Sequence, residues 1–236
     1  MNILAIGAHP DDVDLLCGGT LALYAQAGHV VTIAVATDGR VGEQGDDIAA
    51  TIIRRRAEAE ASCAVIGARL IWMGYEDEWL MDDRETRTRF IDAFRESAAD
   101  IVLAHSVGDY HPDHRTAGKL ALDAQIPSAV PRVRTTHPSL PKIPALYTMD
   151  TVGQLENDLD VTVDISSVID IKEQMLRSHA SQEDWLEHIY GMAYVDFMRS
   201  QAARRGEMSG LQYAESFRQV PTYPPSRPDI PLLGDL

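Results

Sequence analysis

Two short clusters of histidine and aspartate, about a hundred residues apart, carry the side chains best suited to chemistry. The first is AHPDD at 8–12 and the second is HPDH at 111–114. Imidazole and carboxylate groups are typical ligands of catalytic zinc, which usually takes three protein ligands and leaves one position for water. Bound zinc lowers the pKa of that water toward about 7, so that hydroxide forms at neutral pH. The two clusters therefore predict a hydrolytic metal site, provided that the fold brings them together.

The first cluster contains two adjacent aspartates, which can serve a metal ion in different ways. His9 and Asp12 are three residues apart and can reach one ion from a turn that enters a helix, and His114 can supply a third ligand from the start of a later helix. Asp11 can stay unligated and accept a proton from the bound water. The alternative interpretation is that His9 and Asp12 only cap the following helix, since aspartate is common at helix starts.

The elements that must position these clusters follow from the alternation of apolar and helical segments. Strand-like segments are predicted at 2–7, 30–37, 70–73, 101–106, 145–149 and 161–165, and helices at 19–28, 48–67, 85–100, 114–125 and from about 166 to 204. This alternation predicts an α/β fold, a Rossmann-like doubly wound and mainly parallel sheet with helices on both faces. We expect a single domain over 1–236, with a proline-rich surface tail from about 221.

Strand order decides whether the clusters meet. Ligands of open α/β sheets bind beyond the carboxyl ends of the strands, where the strand order reverses. The order 3-2-1-4-5 would make the first and fourth strands neighbours at that point. The first strand leads into 8–12 and the fourth into 108–114, so we expect both clusters to face one crevice.

Composition excludes several classes of partner. The chain has 236 residues, 45% of them hydrophobic, and a net charge of −15, which argues against general affinity for nucleic acid or anionic lipid. No uncharged apolar stretch reaches the roughly 18 residues that would suggest a membrane span. Two cysteines, Cys17 and Cys63, do not form a disulfide framework, and we therefore expect a cytoplasmic location. A homo-oligomeric state stays open.

Several further segments, together with the two clusters, carry a resemblance to a known family. They are TDGRVGEQG at 37–45, Arg55 with Glu58, the set Lys172, His179, Ser181 and Gln182, and GLQYAESF at 210–217. With AHPDD and HPDH, this pattern resembles the LmbE/PIG-L family of zinc-dependent N-deacetylases, which includes the N-acetylglucosaminyl deacetylases of mycothiol, bacillithiol and glycolipid biosynthesis. The sequence departs from the family at Arg40, where many members have glutamate.

The resemblance implies roles for ten residues. His9, Asp12 and His114 would bind one Zn²⁺ per chain, with Asp11 as the general base. His111 would stabilise the oxyanion or protonate the leaving amine, oriented by Asp113, and Tyr110 would add a hydrogen bond to the carbonyl oxygen. Arg55, Arg40 and Glu43 would contact the sugar. Two histidines and one carboxylate also suit Fe²⁺.

The resulting hypothesis is a hydrolase that removes the acetyl group from an N-acetylglucosamine-type amino sugar in a small glycoside. One alternative keeps the zinc chemistry but acts as an amidase on a thiol conjugate or an antibiotic intermediate. Another is a nucleotide-binding module, since Gly18-Gly19 precedes a helix. The sequence lacks G-x-G-x-x-G, however, and the carboxylates at 11–14 would repel a phosphate. For single residues, His105 is consistent with strand packing, 76–78 with a solvated loop, and His179 with either a structural hydrogen bond or catalysis.

Overall fold

Strands and helices alternate along most of the chain, as the apolar pattern predicts. The computed structural model describes residues 1–43, 45, 47–153, 159–191 and 193–221. The strands are β1 (Asn2–Gly7), β2 (Val30–Thr37), β3 (Arg69–Tyr75), β4 (Ile101–Ala104), β5 (Ala145–Met149), β6 (Val161–Asp164) and β7 (Ala214–Gln219). The helices are α1 (Asp12–Gln26), α2 (Ile48–Val65), α3 (Arg84–Glu96), α4 (Pro112–Ser128), α5 (Ile169–Arg177), α6 (Ala180–Tyr190) and α7 (Tyr194–Ser209).

The strands form one seven-stranded sheet in the order β3-β2-β1-β4-β5-β7-β6. The first five strands are parallel, and their order confirms the predicted 3-2-1-4-5. β7 is antiparallel to both β5 and β6. β1 and β4 pair directly, from Ile3 with Ile101 to Ile6 with Ala104, so the loops that follow them leave the sheet side by side.

The central strands are apolar throughout because helices cover both faces of the sheet. Along β1, Ile3 and Ala5 pack into one core layer, whereas Leu4 and Ile6 pack into the other. This is the alternation that the pleat of a strand produces. Both layers thereby fix the end of β1, from which the first histidine–aspartate cluster emerges.

Helix α1 begins at Asp12, seven residues earlier than predicted. The predicted helix began at residue 19 and left the carboxylates in the turn before it, but Asp12 and Asp14 lie in the first turn of α1, where negative charge is favourable next to the helix dipole. The catalytic candidates therefore lie on a helix terminus and not on a free loop.

The glycine pair of α1 packs against the distant end of the chain. A Cβ atom on Gly19 would lie 2.8 Å from the side chain of Ile165. The backbone N–H groups of Gly19 and Thr20 donate to the Glu215 carboxylate on β7 at 2.9 and 2.8 Å, and the same carboxylate accepts from Lys172 Nζ at 2.6 Å. These amides are already bonded to an anion of the protein, which argues against the phosphate-loop alternative.

None of the helices in the described ranges is both long and apolar enough to cross a membrane. The proline-rich tail from 222 onward lies outside the described residues, so its extended surface conformation stays a prediction. The single-domain organisation, the cytoplasmic location and the oligomeric state also stay predictions.

Candidate metal centre

The two clusters meet at the carboxyl edge of the sheet. His9 lies in the turn between β1 and α1, and His114 lies in the first turn of α4. His111 is the N-cap residue of α4, and Pro112 follows it at a position where its missing N–H costs no hydrogen bond. Because β1 pairs with β4, His9 lies on one side of the crevice and His114 lies on the other.

Three ligand-type side chains contact one another there. His9 Nδ1 lies 3.1 Å from His114 Nε2 and 3.3 Å from Asp12 Oδ2, and His114 Nε2 lies 3.2 Å from Asp12 Oδ1. Bonds of 2.0–2.1 Å in a tetrahedral arrangement separate the ligand atoms of zinc by about 3.3 Å. The two histidine nitrogens lie close to that spacing, and Asp12 meets each of them through a different oxygen. The donor types therefore fit an ion such as Zn²⁺.

The other nitrogen of each histidine contacts a carboxylate. His9 Nε2 lies 3.1 Å from Asp77 Oδ1, and His114 Nδ1 lies 3.0 Å from Asp109 Oδ1. Such carboxylates fix the tautomer and aim the opposite lone pair at a metal. From the sequence, Asp77 could belong to a solvated loop or, because it follows the third strand, to the rim of the pocket, and Asp109 had no predicted role. Both side chains are buried just beyond the ends of β3 and β4. This position after a strand is the sequence signal that could have identified them.

His105, which sequence reasoning assigned to strand packing, is fully buried beneath the same cluster. Its Nε2 lies 3.0 Å from Asp12 Oδ2, and its ring stacks on His114 with an interplanar angle of 14° and a centroid distance of 4.2 Å. Imidazole lone pairs lie in the ring plane, so two stacked, nearly parallel rings cannot both direct a lone pair at one ion. His105 Nε2 also lies 3.1 Å from the Ala8 backbone N–H, which donates to it. His105 therefore packs against Asp12 and is not a third nitrogen ligand.

Asp11 lies beside the ligand cluster and is anchored at both oxygens. Its Oδ1 accepts a hydrogen bond from Arg55 at 3.2 Å, and its Oδ2 accepts one from the Tyr194 hydroxyl at 2.9 Å. Arg55 is only 2% exposed and lies beneath the 39–42 loop, where a Cβ on Gly42 would overlap its guanidinium group. Tyr194 belongs to no motif, and no sequence signal could have found it. Sugar binding by Arg55 stays a prediction.

His111 lies between the cluster and the loop after β3. Its Nδ1 accepts from the Asp113 backbone N–H at 3.2 Å, and its Nε2 lies 3.2 Å from Glu78 Oε1. The proton is thus assigned to Nε2, which donates to Glu78. His111 is close enough to His9 and His114 to complete an alternative ligand set, but both of its nitrogens are engaged.

The Asp113 carboxylate serves a different partner from the one predicted. It accepts the backbone N–H groups of Glu78 and Leu80 at 2.8 and 3.3 Å and so fixes the loop after β3. Its link to His111 is the backbone N–H described above. Asp113 therefore positions His111 through the helix terminus and through Glu78.

The remaining predicted residues lie around the crevice. Tyr110 is half exposed, and its ring centroid lies 5.8 Å from that of His111. Arg40 is paired with Asp38 at 2.6 Å and with Glu76 at 3.2 Å. Glu43 binds Thr51 and Arg54 of α2 and lines a groove of about 480 Å³ between α2 and α6. The substrate-binding roles of Arg40 and Glu43 stay predictions.

Charge is strongly coupled within the metal-free cluster. Burial lowers the pKa of the His9 imidazole, but nearby carboxylates, above all Asp12, outweigh burial and hold that pKa well above its usual value. The same balance raises the pKa of His114 to about 9. Burial raises the pKa of the Asp12 carboxyl, but the adjacent histidines reverse this effect and hold it well below its usual range. Without a metal, protons on the histidines supply the positive charge that Asp12 requires.

His111 behaves differently from the two ligand candidates. Burial lowers its pKa, and the neighbouring charges of His9 and His114 lower it further. The neutral imidazole that these effects favour agrees with the hydrogen-bond pattern, in which Nδ1 accepts and Nε2 donates.

The chain is similar to several known proteins. Diacetylchitobiose deacetylase of Thermococcus kodakarensis is 29% identical, covering 93% of this chain and 83% of that protein. The 4-oxalmesaconate hydratase of Pseudomonas putida is 28% identical, covering 93% and 89%. The solved structure of N,N'-diacetylchitobiose deacetylase from Pyrococcus horikoshii matches with a TM-score of 0.81 and 27% identity, covering 92% and 83%. The family model described as PIG-L, GlcNAc-PI de-N-acetylase, matches residues 4–125, more than half of the sequence and both histidine clusters, and the chain therefore belongs to the PIG-L family.

Proposed function

We propose that the protein is a zinc-dependent N-deacetylase that removes the acetyl group from an N-acetylglucosamine-type amino sugar in a small glycoside. The observation that carries the proposal is the 3.1–3.3 Å spacing among the ligand atoms of His9, Asp12 and His114, with Asp11 anchored beside them. Membership of the PIG-L family and the likeness to two diacetylchitobiose deacetylases support it.

His9, Asp12 and His114 would hold one Zn²⁺ per chain. Zinc at this position would polarise the acetyl carbonyl and lower the pKa of a water molecule. Asp77 and Asp109 keep the two histidines in the tautomers that leave Nδ1 of His9 and Nε2 of His114 free to bind. The same donors suit Fe²⁺, so the metal content of the purified protein decides between the two ions.

Asp11 acts as the general base that takes a proton from the attacking water. Adjacent residues at the start of a helix point in different directions, which lets Asp12 face the ion while Asp11 stays unligated. Arg55 and Tyr194 hold one oxygen each and fix the direction of the carboxylate. Loss of a general base typically lowers turnover by a factor of about 10² to 10⁴.

His111 stabilises the developing oxyanion as a neutral hydrogen-bond donor, and its Nε2–H exchanges Glu78 for the oxyanion when substrate binds. Because Nδ1 accepts from the Asp113 N–H, protonation of that nitrogen would break a hydrogen bond and place two donors face to face. This favours oxyanion stabilisation over protonation of the leaving amine, the other predicted role of His111. The leaving amine would instead take the proton that Asp11 accepted from the water. Tyr110 lies close enough to add a second donor.

Charge favours a neutral substrate. Asp11, Asp77 and Asp113 are buried around the cluster, whereas the two arginines predicted to contact the sugar are already paired, Arg55 with Asp11 and Arg40 with Asp38. A carboxylate substrate such as that named for the hydratase relative would meet like charge here. Deacetylation of a neutral amide is therefore the preferred reaction over hydration.

Acetate release from a substrate panel tests the proposal. The panel contains neutral N-acetylglucosaminides, an N-acetylated thiol conjugate, an acylated antibiotic glycoside and 4-oxalmesaconate. We expect acetate from the neutral glucosaminides, loss of most turnover in Asp11→Asn, and about one zinc per chain. Hydration of 4-oxalmesaconate without any deacetylation, or exclusive action on the thiol conjugate or the antibiotic, would overturn it.

A further inference from the structure

Three large apolar side chains surround the candidate metal centre and are exposed. They are Val41 at 48%, Trp79 at 69% and Tyr110 at 53% relative exposure. They come from three different loops, which follow β2, β3 and β4 at the carboxyl edge of the sheet. We call these three residues the apolar rim. Exposed apolar groups that cluster beside a polar site mark a binding surface.

Each residue of the apolar rim is linked to the candidate metal centre through a neighbouring residue. The Val41 backbone N–H donates to Asp77 Oδ2 at 3.3 Å, and Asp77 contacts His9. Trp79 directly follows Glu78, whose carboxylate lies 3.2 Å from His111 Nε2. The Tyr110 ring meets that of His111 edge-on, at 88° between the planes. The rim therefore borders the place where the reacting amide would lie.

The Trp79 indole is exposed on a fixed backbone. Both residues that flank it, Glu78 and Leu80, donate their backbone N–H groups to the Asp113 carboxylate. The Trp79 backbone N–H donates to the Glu76 backbone carbonyl at 3.2 Å. The Leu80 side chain is buried in the core. Glu78 has φ of 68°, a conformation that costs energy for a residue with a side chain. The exposure of Trp79 thus belongs to a fixed loop and not to a loose one.

The side chains in and beside the apolar rim indicate which type of ligand it binds. An indole and a phenol ring offer flat faces that stack on other flat, apolar surfaces. Glu76 and Glu78 both precede Trp79 in the sequence and disfavour an anionic group beside it. The ligand is therefore neutral and has a ring-sized apolar face.

We propose that the apolar rim is the aglycone-binding subsite, and that the enzyme prefers amino sugars whose neutral aglycone presents a flat apolar face. The inference rests on the proposed deacetylase function. An aryl ring and the apolar face of a second pyranose share this chemistry. Because the aglycone lies away from the reacting carbonyl, its binding contributes to KM more than to kcat.

The experiment compares kcat and KM for three substrates: the methyl and phenyl N-acetyl-β-D-glucosaminides and N,N'-diacetylchitobiose. We expect the wild-type enzyme to favour the phenyl glycoside, the disaccharide or both over the methyl glycoside by about tenfold in kcat/KM, the size of one good ring contact. Preference for one of them alone identifies the aglycone as aryl or as pyranose. The ratio should fall severalfold in Trp79→Ala, mainly through KM, and should largely persist in Trp79→Phe.

Met208→Ala is the matched control, since Met208 is 68% exposed at the far end of α7, and this variant should keep the wild-type ratio. A wild-type ratio near one, or a ratio that Trp79→Ala leaves unchanged, would overturn the inference while leaving the deacetylase function intact. Absence of acetate release from all three substrates would contradict the proposed function itself.

Discussion

The Tyr194 hydroxyl lies 2.9 Å from Asp11 Oδ2, although 183 residues separate the two in the sequence. The contact connects the first residue of α7 with the residue just before α1. Together with Arg55 on the other oxygen, it leaves the Asp11 carboxylate one orientation. The proposed base is therefore positioned by the C-terminal half of the chain as well as by its own motif.

Removal of this hydroxyl tests the arrangement. Tyr194→Phe keeps the ring but deletes a hydrogen bond to a buried carboxylate, so we expect turnover to fall by about tenfold and stability to fall by about 1–3 kcal/mol. Zinc content should not change, because Tyr194 contacts none of the ligand candidates. The measurements are kcat, metal content and the free energy of unfolding.

Tyr24→Phe is the matched control for that variant. Tyr24 is equally buried, but its hydroxyl has no hydrogen-bond partner among the described residues. Its removal should leave turnover unchanged and should not destabilise the protein. Equal turnover losses in both variants would show that Tyr194 has no specific effect on Asp11.

Adjacent aspartates at 11 and 12 should fail in different ways. Asp11→Asn keeps size and shape but cannot accept a proton, so zinc should stay and kcat should fall by roughly a hundredfold or more. Asp12→Asn weakens an anionic ligand, so its main defect should be zinc affinity, partly repaired by added metal. Zinc content and kcat with and without excess zinc check both variants. Loss of zinc by Asp11→Asn with retention by Asp12→Asn would mean that the two roles are exchanged.

The carboxylates behind the histidines should control metal affinity. Asp77→Asn and Asp109→Asn remove the charge that orients His9 and His114, and we expect each to weaken zinc binding by about 10–100-fold. Competition with a chelator measures the affinity. Asp123→Asn changes a carboxylate that pairs with Lys119 on the surface of α4 and serves as the control. Wild-type affinity in both buried variants would rule out an orienting role.

Metal binding and stability should depend on pH in opposite ways. The His114 pKa rises from its ordinary 6.5 to about 9 in the metal-free fold, so protonation stabilises that fold below pH 6.5, and this contribution is lost as pH rises through about 9. Zinc requires the unprotonated imidazole, so its affinity should increase over the same interval.

Thermal unfolding with and without zinc checks this dependence. The increase in Tm on zinc binding should be small near pH 6.5 and larger near pH 9. An increase in Tm that is independent of pH would show that His114 does not exchange a proton for the metal. His137, a histidine paired with Asp92 on the surface, provides the control: His137→Gln should keep the pH dependence.

The parts of the fold that follow from local pattern were predictable. β1, β2, β4 and β5 are apolar runs, and their alternation with helices fixed both the strand order and the meeting of the two clusters. β7 was missed because AESFRQ carries charged and polar side chains and is not an apolar run. The region from about 166 to 204, predicted to be helical, contains α5, α6 and most of α7.

The parts of the site that depend on tertiary contact were not predictable. His105, Asp77 and Asp109 belong to none of the recognised motifs, and their contacts arise only where the strand ends converge. Tyr194 comes from a helix with no motif, and Glu78 acts through a backbone conformation that composition does not reveal. The metal-ligand candidates, by contrast, lie within short motifs, in which a single turn of the chain sets the spacing of the residues.

The Glu215 carboxylate holds two backbone amides in the middle of α1, the helix that presents Asp12. Those amides belong to Gly19 and Thr20, which leave the ribosome almost two hundred residues before their partner. A nascent chain consequently contains every metal-ligand candidate long before α1 has its final environment. The environment of the site is therefore completed only after β7 has been translated, and chains that end before 214 would contain both histidine clusters without the Glu215 carboxylate that holds α1.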